Sequence, residues 1–181
     1  MSYIPALARA DATPAIGAKL DAVHKKLGVI PNMLLTMSRS PVALDAYLQL
    51  SDVAGRGTLS ARQREQIALI VGERNDCGYC VAAHGAIGTM VGLSAQQISQ
   101  ARHGRAEDAR DAAILTLASQ IVEHRGHVPT AALDAFKAAG FDDAAILEVL
   151  VNVALNIYTN YTNHIARTDI DFPVTAKSLA A

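Results

Sequence analysis

The chain is punctuated by Ser, Thr or Asp residues that open stretches with apolar positions three and four apart, and by Gly residues that close them. Such side chains accept from the orphan N–H groups at a helix start, and Gly adopts the left-handed conformation that ends one. Thr13-Pro14 opens a predicted helix ending near Gly28, and Ser40-Pro41 another ending near Gly55 or Gly57, both with Pro at the first helical position. Ser60-Ala61-Arg62-Gln63 is a capping box for a helix running to about Arg74, and Asn75-Asp76 favour a turn. A new helix starts at or beside Cys77 and runs to about Val91, before Gly92; Ser94-Ala95-Gln96-Gln97 caps a short successor that stops at Gly104. A long helix follows from about Glu107 to Arg125, with Ala113/Ile114, Leu117/Ala118 and Ile121 as its buried stripe, and Gly126 closes it. Thr130 to Ala139 reads as a short helix before Gly140. Asp142 caps the last long helix, in which Ile146, Leu147, Leu150, Val151, Val153, Ala154, Leu155 and Ile157 cover most of the circumference. Such breadth suits a helix buried centrally or between subunits.

Composition agrees with an all-α fold of seven or eight helices. The chain has 181 residues, 51% hydrophobic and 18% charged, with no Trp and only 4% aromatics, which favours helix over sheet and one domain over two. That domain is expected to span residues 1–181, with its motif core at 60–125. A net charge of −1 offers no basic stripe for nucleic acid. The longest apolar runs, such as Ile67-Ala68-Leu69-Ile70-Val71, are far too short to span a membrane, and the N-terminus lacks a signal-peptide pattern. A cytoplasmic protein, with neither nucleic acid nor membrane as partner, is therefore expected. Leu59-Ser60-Ala61-Arg62-Gln63 and Leu93-Ser94-Ala95-Gln96-Gln97 lie 34 residues apart, a solenoid period, but no third copy follows and only capping residues are shared.

Chemistry concentrates around the only two cysteines. Glu73, Cys77, Cys80 and His84 are spaced 4, 3 and 4 apart, so a continuous helix would project acid, two thiols and imidazole from one face. Cysteines three apart close too small a loop to staple a fold, yet their separation on a helix is one a disulfide can span. The pair can cycle between dithiol and disulfide, a histidine one turn beyond Cys80 can accept its proton, and a helix N-terminus favours the reactive thiolate. Haem attachment would need His directly after the second Cys, where Val81 stands; a thioredoxin-type site would follow a strand, where a helix is predicted. Zinc could take Cys77, Cys80 and His84, but no second pair completes a four-ligand structural site. The plainest alternative is two small buried cysteines beside a hydrogen-bonded histidine.

The segment Glu65 to His84 resembles the signature of the alkylhydroperoxidase AhpD-like group of the carboxymuconolactone decarboxylase superfamily: Glu, eleven residues, Cys-x-x-Cys, three residues, His. Pro31-Asn32-Met33, Ser40-Pro41 and the Asn-rich last helix resemble its peroxidase-related subfamily, so the similarity spans roughly Pro31 to Phe172. The resemblance implies an AhpD-like helical bundle that assembles as a homotrimer or homohexamer with the site near subunit contacts. It implies a thiol-dependent peroxidase acting on hydrogen peroxide or organic hydroperoxides. Cys80 would attack the peroxide, Cys77 would resolve the sulfenic acid as a disulfide, and His84 with Glu65 would relay the proton. Tyr79 stands where relatives carry His, Tyr or Ser.

Two points of this pattern oppose the bare spacing. On one continuous helix Glu73 would share the face of Cys77 and Glu65 would lie about 120° away; a break at Asn75-Asp76 folding one helix across the other would favour Glu65. The helix dipole would activate Cys77 more than Cys80, whereas the family pattern gives attack to Cys80, beside His84. Asn152, Asn156, Asn160 and His164 form a four-residue stripe that reads as polar glue between helices, and His24, His103, His124 and His127 read as solvated. No GxGxxG or P-loop occurs, so no cofactor or metal is expected and the electrons would come from an external dithiol, either a thioredoxin-like protein, a dihydrolipoyl protein or a small thiol. A carboxymuconolactone decarboxylase would leave the CxxC unexplained. A thiol redox sensor would use it without turnover.

Overall fold

A computed structural model describes residues 2–173. Among them are nine α-helices and no strand: α1 Pro14–Leu27, α2 Asn32–Met37, α3 Pro41–Gly55, α4 Ala61–Arg74, α5 Gly78–Met90, α6 Ala95–Arg102, α7 Ala109–Glu123, α8 Thr130–Ala138 and α9 Asp143–Ala166, with a 3-10 turn at Arg9–Asp11 before them.

The helix starts follow their side-chain acceptors. Ser60 Oγ accepts from Gln63 N at 3.2 Å while Gln63 Oε1 accepts from Ser60 N at 3.0 Å, and Ser94 with Gln97 repeats the box at 3.1 and 3.0 Å. The 34-residue echo in the sequence is thus two copies of one cap. Thr13, Ser40, Asp108 and Asp142 also cap with their side chains. Of the expected stops, Gly28, Gly92, Gly104, Gly126 and Gly140 have positive φ, whereas α3 ends at Gly55 with a right-handed cap at Arg56. At Gly140 the requirement is double: φ is +86°, and a Cβ would stand 2.9 Å from the Arg110 guanidinium.

Helix α2 is the element beyond the eight that the sequence pattern outlines. Its N-cap is Pro31, which offers no side-chain acceptor. The acceptors come from far along the chain: Asp171 Oδ2 takes the Asn32 N–H at 2.7 Å, and the Tyr79 hydroxyl takes the Met33 N–H at 3.2 Å. Local pattern cannot show a cap supplied by a residue 139 positions away.

Helix α4 runs through the middle of the bundle. Gln66 to Gly72 are all buried, because α5, α6, α7 and α9 enclose it. Ile67, Leu69, Ile70 and Val71 are fully inaccessible, each stabilising the fold by about 1.5–3 kcal/mol. With Ile114, Leu115 and Leu117 of α7 and Val149 and Val153 of α9 they form the larger core. A second cluster joins α1, α2 and α3 to the start of α5 through Ile16, Leu20, Met33, Met37 and Leu44, and it contains both cysteines. The inner face of α9 carries Val149, Asn152, Val153 and Asn156, while Leu147, Leu150, Tyr161 and Ile165 on its outer side are exposed. Among the described residues no helix is long and apolar enough to cross a membrane.

Candidate functional site

The chain turns back on itself between α4 and α5. Asn75 caps α4, Asp76 sits at φ +52°, and the Cys77 N–H is held by Gly72 O at 2.8 Å. Helix α5 then packs back along α4, and Gly72 marks the close approach: a Cβ there would meet Val81 Cγ2 at 3.4 Å and Cys80 Cβ at 3.5 Å. The single stripe of Glu73, Cys77, Cys80 and His84 therefore does not exist, because the stretch is two helices. Glu73 turns instead to Arg102 of α6, whose Nε donates to its Oε2 at 2.7 Å. The reversal brings Glu65, eleven residues before Asp76, within reach of His84, eight after it, across the two helices. His84 Nδ1 lies 2.7 Å from Glu65 Oε2, with both side chains half-buried.

Cys77 and Cys80 are free thiols, 3% and 2% exposed. Cys77 is the N-cap of α5, its sulfur accepting the Cys80 N–H at 3.4 Å, and Cys80 lies in the first turn. Their surroundings push the two in opposite directions. The Cys80 thiol is pulled from 9.0 to about 7, first by a hydrogen bond from the Cys77 thiol; burial opposes this, and the His84 charge and the amides of Asn163 and Asn160 assist. The same bond, followed by burial, pushes Cys77 up. The direction runs against the dipole-based expectation for Cys77: a capping thiol that donates a hydrogen bond to its neighbour is held protonated, and the neighbour's charged form is favoured. Burial disfavours the His84 imidazolium, but the charge and hydrogen bond of Glu65 outweigh it and raise His84 above 6.5.

Helix α9 supplies what the sequence reading did not single out. Asn163 Nδ2 donates to Cys80 Sγ at 3.2 Å. Its only sequence signal was its place three residues after Asn160, on the same face of the helix. Asn160 is fully buried, its Oδ1 accepting from Asn75 Nδ2 at 2.9 Å, while its own Nδ2 has no partner. A buried donor left so costs about 1–3 kcal/mol. The remaining stripe divides: Asn152 and Asn156 donate to carbonyls one turn back on their own helix, whereas exposed His164 donates from Nε2 to Asn75 O at 2.8 Å. Asn160 and His164 thus pin the turn that precedes the cysteines, and only they act as glue between elements.

Tyr47 of α3 was likewise not anticipated. Its phenol is raised by burial and then by the nearby Glu65 charge. Tyr79 points away from this chemistry: besides holding the start of α2, its ring meets Phe172 edge-on at 5.8 Å. Its hydroxyl is held protonated, first by burial, with Asp171 contributing. His24, His103, His124 and His127 are exposed. Among the described residues no group of three or more His, Cys, Asp or Glu is arranged to hold a metal ion.

This arrangement places one acidified, buried thiol between a second thiol, an imidazole–carboxylate pair and an amide donor. The fold around it is shared. A peroxidase-related protein from Ralstonia eutropha JMP134, described as an alkylhydroperoxidase AhpD core, superposes with a TM-score of 0.86 at 24% identity, covering 94% of this chain and 92% of that one. A peroxidase-related protein from Silicibacter sp. TM1040 gives 0.81 at 23% identity over 97% and 94%. The debrominase Bmp8 in complex with 2,3,4-tribromopyrrole gives 0.79 at 19% identity over 98% and 94%. No curated protein matches the chain. Residues 41–124, which hold α3 to α7 and the whole Glu65–His84 segment, match the carboxymuconolactone decarboxylase family. The chain thus carries a carboxymuconolactone decarboxylase family match across residues 41–124 and has the fold of the AhpD-like proteins.

Proposed function

We propose that the protein is a dithiol peroxidase in which Cys80 attacks hydroperoxides and Cys77 resolves the product. The observation that carries this reading is the setting of Cys80, a buried thiol three residues from Cys77 that takes the Asn163 amide at 3.2 Å and lies beside the His84–Glu65 pair, so that Cys80 is lowered while Cys77 is pushed up. A nucleophile needs the first and a resolving thiol tolerates the second.

The Cys80 thiolate attacks the terminal peroxide oxygen, the O–O bond breaks, and sulfur is oxidised by two electrons to the sulfenic acid as the peroxide is reduced. The leaving alkoxide or hydroxide takes its proton from the His84 imidazolium, which Glu65 holds and recharges. The Cys77 sulfur then attacks the Cys80 sulfur, expelling hydroxide that leaves as water, and the disulfide forms. An external dithiol, whether a thioredoxin-like protein, a dihydrolipoyl protein or a small thiol, returns both cysteines to the reduced state by exchange. The site lies in an apolar cluster with Met33, Met37 and Leu44, which suits organic hydroperoxides as well as hydrogen peroxide. The exposed row Leu147, Leu150, Tyr161 and Ile165 would be covered in a homotrimer or homohexamer.

The likeness to a debrominase supports a second electron acceptor for the same thiol, a brominated pyrrole reduced at the expense of the dithiol. The test is intact mass and differential alkylation of the reduced, metal-free protein before and after a single equivalent of cumene hydroperoxide, with Cys77→Ser alongside. A Cys77–Cys80 disulfide in the parent and a sulfenic acid on Cys80 in the variant are expected, with sustained turnover on a dithiol donor separating an enzyme from a sensor. If both thiols stay reduced with the hydroperoxide but oxidise with 2,3,4-tribromopyrrole while bromide is released, the debrominase reading replaces the peroxidase one.

A further inference from the structure

The amide pair of α9 has no counterpart in the thiol, imidazole and carboxylate set. Asn163 donates to the Cys80 sulfur at 3.2 Å, while its Oδ1 has no partner. Asn160, three residues earlier on the same face, is fully buried beside the same thiol, and its Nδ2 assists the Cys80 thiolate without closing a hydrogen bond of normal geometry on the sulfur. It is not free to turn: its Oδ1 accepts from Asn75 Nδ2, and Asn75 is in turn fixed through its carbonyl by His164. A buried donor held near the sulfur but short of a full hydrogen bond is placed for an acceptor that comes closer in another state of the site.

We propose that Asn163 and Asn160 form a two-amide cradle for Cys80, Asn163 donating to the resting thiolate sulfur and Asn160 to the oxygen that the sulfur gains on oxidation. In the oxidised state the acceptor is the oxygen of the Cys80 sulfenic acid, formed when the thiolate takes the terminal OH of a hydroperoxide, the O–O bond breaks and the alkoxide leaves with the proton of the His84 imidazolium. The sulfenic-acid half of this inference rests on the peroxidase reading; the thiolate half does not. Cys77 and His84 also act on Cys80 from its own helix and cap, Glu65 through His84 from α4, Tyr47 from α3, and Tyr79 beside it. All of these remain in place when an asparagine is replaced, so the amide contribution can be read alone.

The experiment measures the pH midpoint of Cys80 alkylation by iodoacetamide in the full-length reduced protein, and then sulfenic-acid trapping by dimedone after cumene hydroperoxide in a Cys77→Ser background. Asn163→Leu should move the alkylation midpoint upward by about one pH unit, since a hydrogen bond to the charged form is lost. Asn160→Leu should move it less but shorten the life of the trapped sulfenic acid several-fold. Asn156→Leu, an equally buried asparagine one turn earlier that bonds only along its own helix, is the control for packing and should leave both readouts in place. Where a leucine variant fails to fold by far-UV circular dichroism, the alanine variant at that position is measured instead. The cradle is refuted if the Asn163 and Asn160 variants keep the parent midpoint and sulfenic-acid lifetime, or shift no more than Asn156→Leu. If Cys77→Ser with both asparagines intact forms no sulfenic acid, the peroxidase reading falls, and the alkylation midpoint alone decides whether Asn163 holds the thiolate.

Discussion

Glu65 and His84 stand 19 residues apart in the chain and 2.7 Å apart in the fold, with His84 Nδ1 on the carboxylate and Nε2 left as the nitrogen able to exchange a proton. A carboxylate in this position fixes the ring and favours the imidazolium. Replacing Glu65 by Gln is expected to cut peroxide turnover by roughly 100-fold, the scale of one general acid–base component. Stopped-flow peroxide consumption at saturating dithiol checks this, and unchanged turnover would remove Glu65 from the relay.

The same pair carries a pH signature in stability. A histidine raised by its partner stabilises the fold fully below its ordinary value and loses that contribution as pH rises through the raised one. The stability difference between the parent and Glu65→Gln should therefore be largest at about pH 5 to 6.5 and shrink above that range. Urea unfolding across pH measures it; a difference that grows toward alkaline pH would contradict the pairing.

Cys80, lowered to about 7, should be half thiolate near neutrality, so its alkylation rate should climb through pH 7 while Cys77 stays slow over the same range. Mass-spectrometric counting of the labelled residue follows both thiols together. Reversal of the order would exchange the two roles.

Glu73, which bare spacing places with the cysteines, belongs to a different contact. Its bond to the nearly buried Arg102 predicts that Glu73→Gln lowers stability by about 1–2 kcal/mol and leaves the Cys80 alkylation midpoint unmoved. Chemical denaturation and the alkylation profile together distinguish a structural carboxylate from a catalytic one.

The approach of α5 to α4 at Gly72 makes a graded prediction. An alanine Cβ would reach Val81 and Cys80 at ordinary contact distance, so Gly72→Ala should fold. The added γ-carbons of Gly72→Val would intrude on Val81 and Cys80, with an expected loss of about 1–3 kcal/mol in thermal or urea unfolding.

The helices of the bundle were legible because their start and stop signals act within a few residues. Ser60 with Gln63, Ser94 with Gln97 and Asp142 each satisfy N–H groups one turn away, and left-handed residues close by, Asp76, Gly104 and Arg167, mark the ends of the helices they begin. Helix α2 escaped the same reading because Asp171 and Tyr79 complete its N-terminus from elsewhere in the chain. The outward apolar side of α9 was visible as breadth of hydrophobicity, but which side faces the core was set by packing against α3, α4 and α7.

For the site, the sequence by itself determined the inventory: two cysteines three apart, a histidine four further on, and acids within reach. Tertiary structure decided the partners. The turn at Asp76 separates Glu73 from the thiols and lays Glu65 against His84, a choice no helical period could make across a chain reversal. Asn163 reaches Cys80 from 83 residues away, and the hydrogen bond between the two thiols lowers Cys80 although Cys77 lies nearer the helix end. Periodicity reports contacts within a helix. Those between helices depend on how the chain turns and packs.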